Sequence, residues 1–86
     1  MTLDELASII EAEGLQGFAS FRPELEAYKI YLVPDGDGWS VYATDERANV
    51  DGSARAFNSL EAAAENFLDR LRAAKRIDDR RRLGGS

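Results

Sequence analysis

The sequence predicts an α+β fold: an N-terminal helix, a three- to four-stranded antiparallel meander and a C-terminal helix, with both helices packed on one sheet face. Two observations predict it. Apolar residues recur at helical spacing near both ends of the chain, and in the middle they alternate with polar residues around a stretch rich in Gly and Asp. A chain of 86 residues has room for one domain.

The first helix is predicted over residues 3–13. Thr2 precedes it as an N-cap, and Glu5 follows three residues later, which makes a capping box. Gly14 suits the C′ position, where the chain leaves a helix in a left-handed conformation. The apolar stripe of this helix consists of Leu3, Leu6 and Ile10, with Ala7 and Ile9 beside them.

Residues 18–22 leave two alternatives open, a short strand or an irregular crossing. Phe18 and Phe21 are expected to be core anchors, and Pro23 favours an extended conformation at Arg22.

The middle of the chain predicts a β-hairpin. Residues 28–33 and 39–44 are rich in β-formers, and residues 34–38 (Pro-Asp-Gly-Asp-Gly) have turn composition. The residues expected to face the core are Tyr28, Ile30 and Leu32 in the first strand and Trp39, Val41 and Ala43 in the second.

After the hairpin, residues 45–52 are predicted to be a polar loop and residues 53–57 a third, weaker strand. A second helix is capped by Asn58 or Ser59 and is expected to end near Arg76. The single domain then covers residues 1–77, and residues 78–86 form a flexible basic tail.

The chain contains neither Cys nor His. Small secreted domains usually carry disulfides, the N-terminus lacks a basic signal region, and no apolar run approaches the ~20 residues that span a bilayer. We therefore expect a cytoplasmic protein. The usual general base near neutral pH and the soft metal ligands are also missing, so we expect no enzyme, no cofactor and no metal.

Charge is distributed unevenly along the chain. Residues 1–69 hold 14 acidic and four basic residues, a net charge of −10, whereas residues 70–86 have a net charge of +5. An acidic body favours a partner with a basic surface. The basic residues of the 70–86 segment lie on a helix end and tail with no aromatics among them, and the rest of the protein is acidic, so nucleic acid is not predicted as a partner. A membrane is not predicted either, because no apolar run is long enough to span one. Oligomeric state stays open.

The order of motifs resembles a known family. The matching features follow one another along the chain: a tyrosine-rich strand, Trp39-Ser-Val41-Tyr42, Glu46-Arg47, an isolated Phe57, and a helix with Glu61-Ala62…Phe67-Leu68-Asp-Arg70-Leu71. This order is similar to bacterial immunity protein family fifty-nine, found in polymorphic-toxin and contact-dependent-inhibition loci. The resemblance covers most of residues 3–72. The family's pattern has Gly after the Glu-Arg pair, where this chain has Ala48. The resemblance implies a protein that binds and neutralises a cognate toxin domain.

Eight residues are predicted to bind the partner. Tyr31 and Tyr42 alternate with the core-facing residues and are therefore expected on the outer face of the sheet. There they either serve as interface anchors or pack under a loop or the tail. For residues 45–47 the alternative is a solvated turn with a local ion pair worth at most ~1 kcal/mol. The eight are Tyr31, Asp35, Asp37, Tyr42, Asp45, Glu46, Arg47 and Asp51.

The function expected from the resemblance is stoichiometric inhibition of a bacterial toxin domain. The alternative is a small regulatory or interaction module that binds an unrelated protein.

Overall fold

The structure, a computed structural model, describes residues 1–22, 24–50, 52 and 54–84, and side chains as far as residue 81. Its elements are α1 (Leu3–Ala12), β1 (Ala19–Ser20), β2 (Ile30–Asp35), β3 (Gly38–Ala43), β4 (Arg55–Phe57) and α2 (Leu60–Gly84). The four strands form one sheet in the order β1-β2-β3-β4. The predicted α+β class is confirmed.

The sheet is mixed, and the prediction of a purely antiparallel meander is wrong. β1 is parallel to β2, with Ala19 opposite Ile30 and Ser20 opposite Tyr31, while the β2–β3 and β3–β4 pairs are antiparallel. Two parallel strands need a connection that returns to the starting end of the sheet, and residues 21–29 make it. β1 has only two residues, too few for a pattern that reveals its direction.

Helix α1 begins and ends as predicted, to within a residue. The Thr2 hydroxyl accepts from the Glu5 N–H at 3.1 Å. At the other end, Gly14 has a φ of 70°, and the Leu15 N–H donates to the Ile10 carbonyl at 2.8 Å, which is a Schellman closure.

The core joins both helices to one face of the sheet, which we call the helix face. Ile30 and Leu32 of β2 and Val41 of β3 lie on it. They pack in one cluster with buried side chains from α1, the α1–β1 connection and α2: Leu6, Ile10, Leu15, Ala63, Ala64, Phe67, Leu68 and Leu71. Trp39 and Phe18 are half-buried against this cluster.

Two expected core residues lie at the surface. Tyr28 is 66% exposed, because a φ of 57° there breaks the strand parity that placed it beside Ile30. Phe21 is 38% exposed and only touches the core, through an edge-on contact with Phe67 at 5.6 Å between ring centroids.

The β2–β3 hairpin closes more tightly than predicted, through Gly36 and Asp37 alone. Gly36 has a φ of 60°, as the first central residue of a type II′ turn requires. A Cβ on Gly38 would lie 2.3 Å from the Phe57 carbonyl oxygen, so Gly38 permits β4 to approach β3.

The third predicted strand is present as β4, although Ser53 lies outside the described residues. Ser59 caps α2, since its hydroxyl accepts from the Ala62 N–H at 3.2 Å. The helix continues past Arg76, where we expected it to end, to Gly84, so residues 78–84 are helical. Between Arg76 and Gly84 the sequence holds neither Gly nor Pro, and its Arg and Leu residues favour a helix. Neither helix, as far as it is described, has the length and apolar composition needed to cross a bilayer.

Candidate interaction surface

The structure distributes the predicted partner-binding residues over two ends of the sheet. Asp35 and Asp37 lie at the β2–β3 hairpin, whereas residues 45–47 follow the opposite end of β3. Six residues of β3 separate them, roughly 20 Å at the rise of a β-strand. They therefore do not form one cluster. Asp51 lies outside the described residues.

Tyr31 is fully buried, which excludes it as an exposed interface anchor and corrects that prediction. It lies on the sheet face opposite the helices, which we call the loop face. Its hydroxyl donates to the Glu24 carbonyl at 2.9 Å and accepts from the Glu26 N–H at 2.6 Å. Of the two alternatives for Tyr31, packing under a loop is the one observed.

Tyr42 is half-buried beside Tyr31 on the loop face. The two rings stack with centroids 4.9 Å apart and 12° between their planes. Burial raises the pKa of the Tyr42 hydroxyl above its ordinary value, and Tyr31 adds to the shift. Tyr42 keeps part of its surface accessible to solvent.

Thr44 holds the loop of residues 24–29 against the sheet through hydrogen bonds. Its side chain is buried, its hydroxyl donates to the Glu26 carbonyl at 2.5 Å, and the Lys29 N–H donates to that hydroxyl at 3.0 Å. Its own N–H donates to the Lys29 carbonyl at 2.9 Å. Thr44 and Tyr31 together bind this loop at both of its ends.

Asp45 organises the neighbouring loop of residues 45–49. Its carboxylate Oδ1 accepts from the Arg47 N–H at 2.9 Å and the Asn49 N–H at 3.0 Å. The Asp45 N–H donates to the Asn49 carbonyl at 3.0 Å. This carboxylate shapes the turn, while Glu46 and Arg47 remain exposed.

Each of these two loops contains a left-handed residue that is not glycine. Tyr28 has a φ of 57° and Ala48 a φ of 61°, a conformation that costs L-residues roughly 1–2 kcal/mol. The loops also touch: the Tyr28 N–H donates to the Asp45 carbonyl at 3.2 Å, and its hydroxyl lies 3.5 Å from Glu46 Oε2. Such backbone strain concentrates at functional sites. Sequence reasoning missed Tyr28 because no Gly or Asn marks the turn.

Two surface concavities offer other places for a ligand. One, of about 440 Å³, is lined by Arg55, Asn66 and Arg70 between β4 and α2, and the buried Asn66 Oδ1 has no hydrogen-bond partner there. The other, of about 370 Å³, lies beside Met1 and Glu61. No group of carboxylates among the described residues is arranged to hold a metal ion.

Two basic side chains of α2 form contacts with the end of α1. The Arg72 guanidinium binds both carboxylate oxygens of Glu13, at 2.9 Å and 2.7 Å, and Lys75 donates to the Glu13 carbonyl at 2.9 Å. The hydrogen bond to Arg72 holds the pKa of Glu13 below its ordinary value of 4.5. These contacts join the end of α1 to α2.

Comparison with known proteins gives no match to a family model, a curated protein or a solved structure. A functional interpretation therefore depends on the chain's own residues and their geometry.

Proposed function

We propose that this protein is an immunity protein that binds a cognate bacterial toxin domain and neutralises it by stoichiometric protein–protein inhibition. The observation that carries the proposal is the accessibility of the acidic charge. Every carboxylate of residues 1–69 that the structure describes is exposed, and none of the buried side chains in those described parts of the chain is charged. The negative field of the body is thus available to a partner.

An exposed acidic body suits inhibition of an enzyme that acts on an anionic substrate, because such an enzyme has a basic cleft. Complementary charge steers the two proteins together and raises association rates by about 10- to 1,000-fold at low salt. Loops that are already fixed by hydrogen bonds lose little conformational freedom on binding, which favours affinity.

The motif order adds a second line of support. The segment from Trp39 to Arg47 resembles the immunity family, whose pattern continues with Gly. Ala48 stands at that position and has a φ of 61°, a conformation that a glycine adopts without strain. The departure from the pattern is therefore compatible with the loop conformation that the pattern favours.

The test is co-expression with the toxin domain encoded by the adjacent gene. We expect the toxin to arrest growth alone, and growth to be restored when this protein is produced in equal amount. The purified pair should form a 1:1 complex whose association slows as salt is added. A neighbouring toxin that stays lethal and does not bind would contradict the proposal.

A further inference from the structure

The two strained loops and Val50, which follows the second of them, carry three apolar side chains that the fold leaves exposed. Leu25, Tyr28 and Val50 are 48%, 66% and 44% exposed. All three belong to segments that meet at Thr44: its hydroxyl binds the Glu26 carbonyl, and Val50 pairs with it in an isolated β-bridge. We define the Tyr28 surface as these three side chains and the carboxylates of Glu24, Glu26 and Glu46.

The charge around these apolar side chains is negative. Glu24 and Glu26 flank Leu25 in sequence, and Glu46 lies beside the Tyr28 hydroxyl. The two loops also contain the basic residues Lys29, whose ammonium donates a hydrogen bond to the Gly17 carbonyl at 2.6 Å, and Arg47. Across residues 24–29 and 45–49 the four carboxylates of Glu24, Glu26, Asp45 and Glu46 outnumber these two cations, a net charge of −2, so the surface favours a cation over a phosphate.

The Tyr28 surface is also held in place before a partner arrives. Tyr31 and Thr44, both buried on the loop face, bind the backbone of Glu24, Glu26 and Lys29. The Tyr28 backbone itself is tied to Asp45. A ring carried by a loop whose backbone is already fixed costs less conformational entropy to engage than one on a free loop.

We propose that the Tyr28 surface is where the toxin docks, and that the toxin segment seated there presents an arginine or lysine next to an apolar side chain. The cation lies over the Tyr28 ring and between the carboxylates, and the apolar side chain covers Leu25. This inference rests on the proposed function, because it assigns the surface that would carry it.

The first experiment uses the full chain and a defined probe, the peptide acetyl-Gly-Arg-Leu-Arg-Gly-amide, followed by amide chemical shifts. We expect the shifts to concentrate in residues 24–28 and 45–49. Tyr28→Gly should weaken binding about fivefold, and Tyr28→Phe, which keeps the aromatic face, should bind like the wild type. Glu65→Gln removes an exposed carboxylate from α2, away from the two loops, and should change little.

Tyr28→Gly should remain folded, because Gly adopts the left-handed conformation at position 28 without strain. Shifts spread evenly over the acidic body, or concentrated at the hairpin, would overturn the inference. So would self-association of the free protein that Tyr28→Gly abolishes, since a second copy would then be the occupant.

Binding of the toxin domain from the adjacent gene separates the two proposals. If it binds the wild type and loses at least tenfold in affinity with Tyr28→Gly, both are supported. If it binds both proteins equally, the docking site is wrong and the inhibitory function stands. If the peptide maps to the Tyr28 surface but the toxin domain binds neither protein, the proposed inhibitory function is wrong. The Tyr28 surface then remains a binding site for a basic and apolar segment of another partner.

Discussion

The two faces of the sheet are stabilised in different ways. On the helix face, Ile30, Leu32 and Val41 are buried by apolar side chains from both helices. On the loop face, Tyr31 and Thr44 are buried by an irregular loop that is held through hydrogen bonds to its backbone. The hydrophobic effect is non-directional and gives the helix face its stability, whereas directional hydrogen bonds fix one loop conformation on the other face.

Because of this difference, we expect the two faces to respond differently to substitution. The helix face can exchange one apolar residue for another of similar volume with modest cost, because packing depends on size and shape. The loop face depends on specific donors and acceptors, and it tolerates strain at Tyr28 and Ala48. We expect substitutions on the helix face to change stability most, and substitutions in the loops to change recognition.

The largest effect is expected in the core under the helix face. Phe67→Ala removes a fully buried ring from α2 and should lower the free energy of unfolding by about 3–5 kcal/mol, measured by urea denaturation. That loss is a large share of the about 5–15 kcal/mol by which native domains are stable, so the thermal midpoint should also fall. Ile77→Ala on the same helix, where the side chain is 54% exposed, should change the value by less than about 0.5 kcal/mol. Equal costs would contradict the assignment of the core.

A smaller loss is expected on the loop face. Tyr31→Phe keeps the ring but leaves the Glu26 N–H and the Glu24 carbonyl without their partner, at a cost of about 1–3 kcal/mol. Amide hydrogen exchange at Glu26 should speed up. Tyr42→Phe, which preserves the ring stack, serves as the matched control. Unchanged exchange at Glu26 would show that Tyr31 does not hold the loop.

A gain in stability is expected where the backbone is strained. Ala48→Gly removes the left-handed penalty but increases the freedom of the unfolded chain, so a net gain of up to about 1 kcal/mol should raise the thermal midpoint. Ala62→Gly, an ordinary position in the first turn of α2, should instead lose about 0.5–1 kcal/mol. Destabilisation by both substitutions would argue against the left-handed conformation at Ala48.

The smallest effect concerns the ion pair between the helices. Because Arg72 lowers the pKa of Glu13, this group stabilises the fold fully above its ordinary value of 4.5, and the stabilisation is lost as pH falls through the lowered pKa. The wild type should exceed Glu13→Gln in stability near pH 7, and the difference should vanish in acid. Glu11→Gln is the control. Solvent exposure of both partners keeps the effect small, and a difference that persists in acid would exclude the ion pair as its cause.

The sequence predicts the helix face better than the loop face. Helical spacing and β-alternation located both helices, the hairpin and most of the helix face, because burial imposes a period on the sequence. The loop face has no such period. The strand β1 has only two residues, which are too few to indicate its direction. The conformation of Tyr28 depends on contacts with Asp45 and Glu46, which are distant from it in sequence.

The candidate site shows this limit most clearly. Glu46, Arg47 and Tyr42 were predicted from the sequence and are accessible, whereas Tyr31 was expected outside and is buried. Alternating parity gives the correct side of the sheet for Tyr31 but cannot show that a loop covers that side. Tyr28 was assigned to the core by the same parity, whereas its left-handed backbone places it at the surface as an exposed aromatic residue.

The most direct test is calorimetric titration of the protein encoded by the adjacent gene, the proposed toxin, against the wild type, Tyr28→Gly and Glu65→Gln, with urea unfolding of each protein in parallel. A 1:1 complex is expected with the wild type and with Glu65→Gln, because Glu65 is exposed on α2, away from the loops. Tyr28→Gly is expected to bind at least tenfold more weakly, with a stability that equals or exceeds that of the wild type. Tyr28→Gly that binds the toxin domain as tightly as the wild type would contradict the assignment of recognition to the loop face.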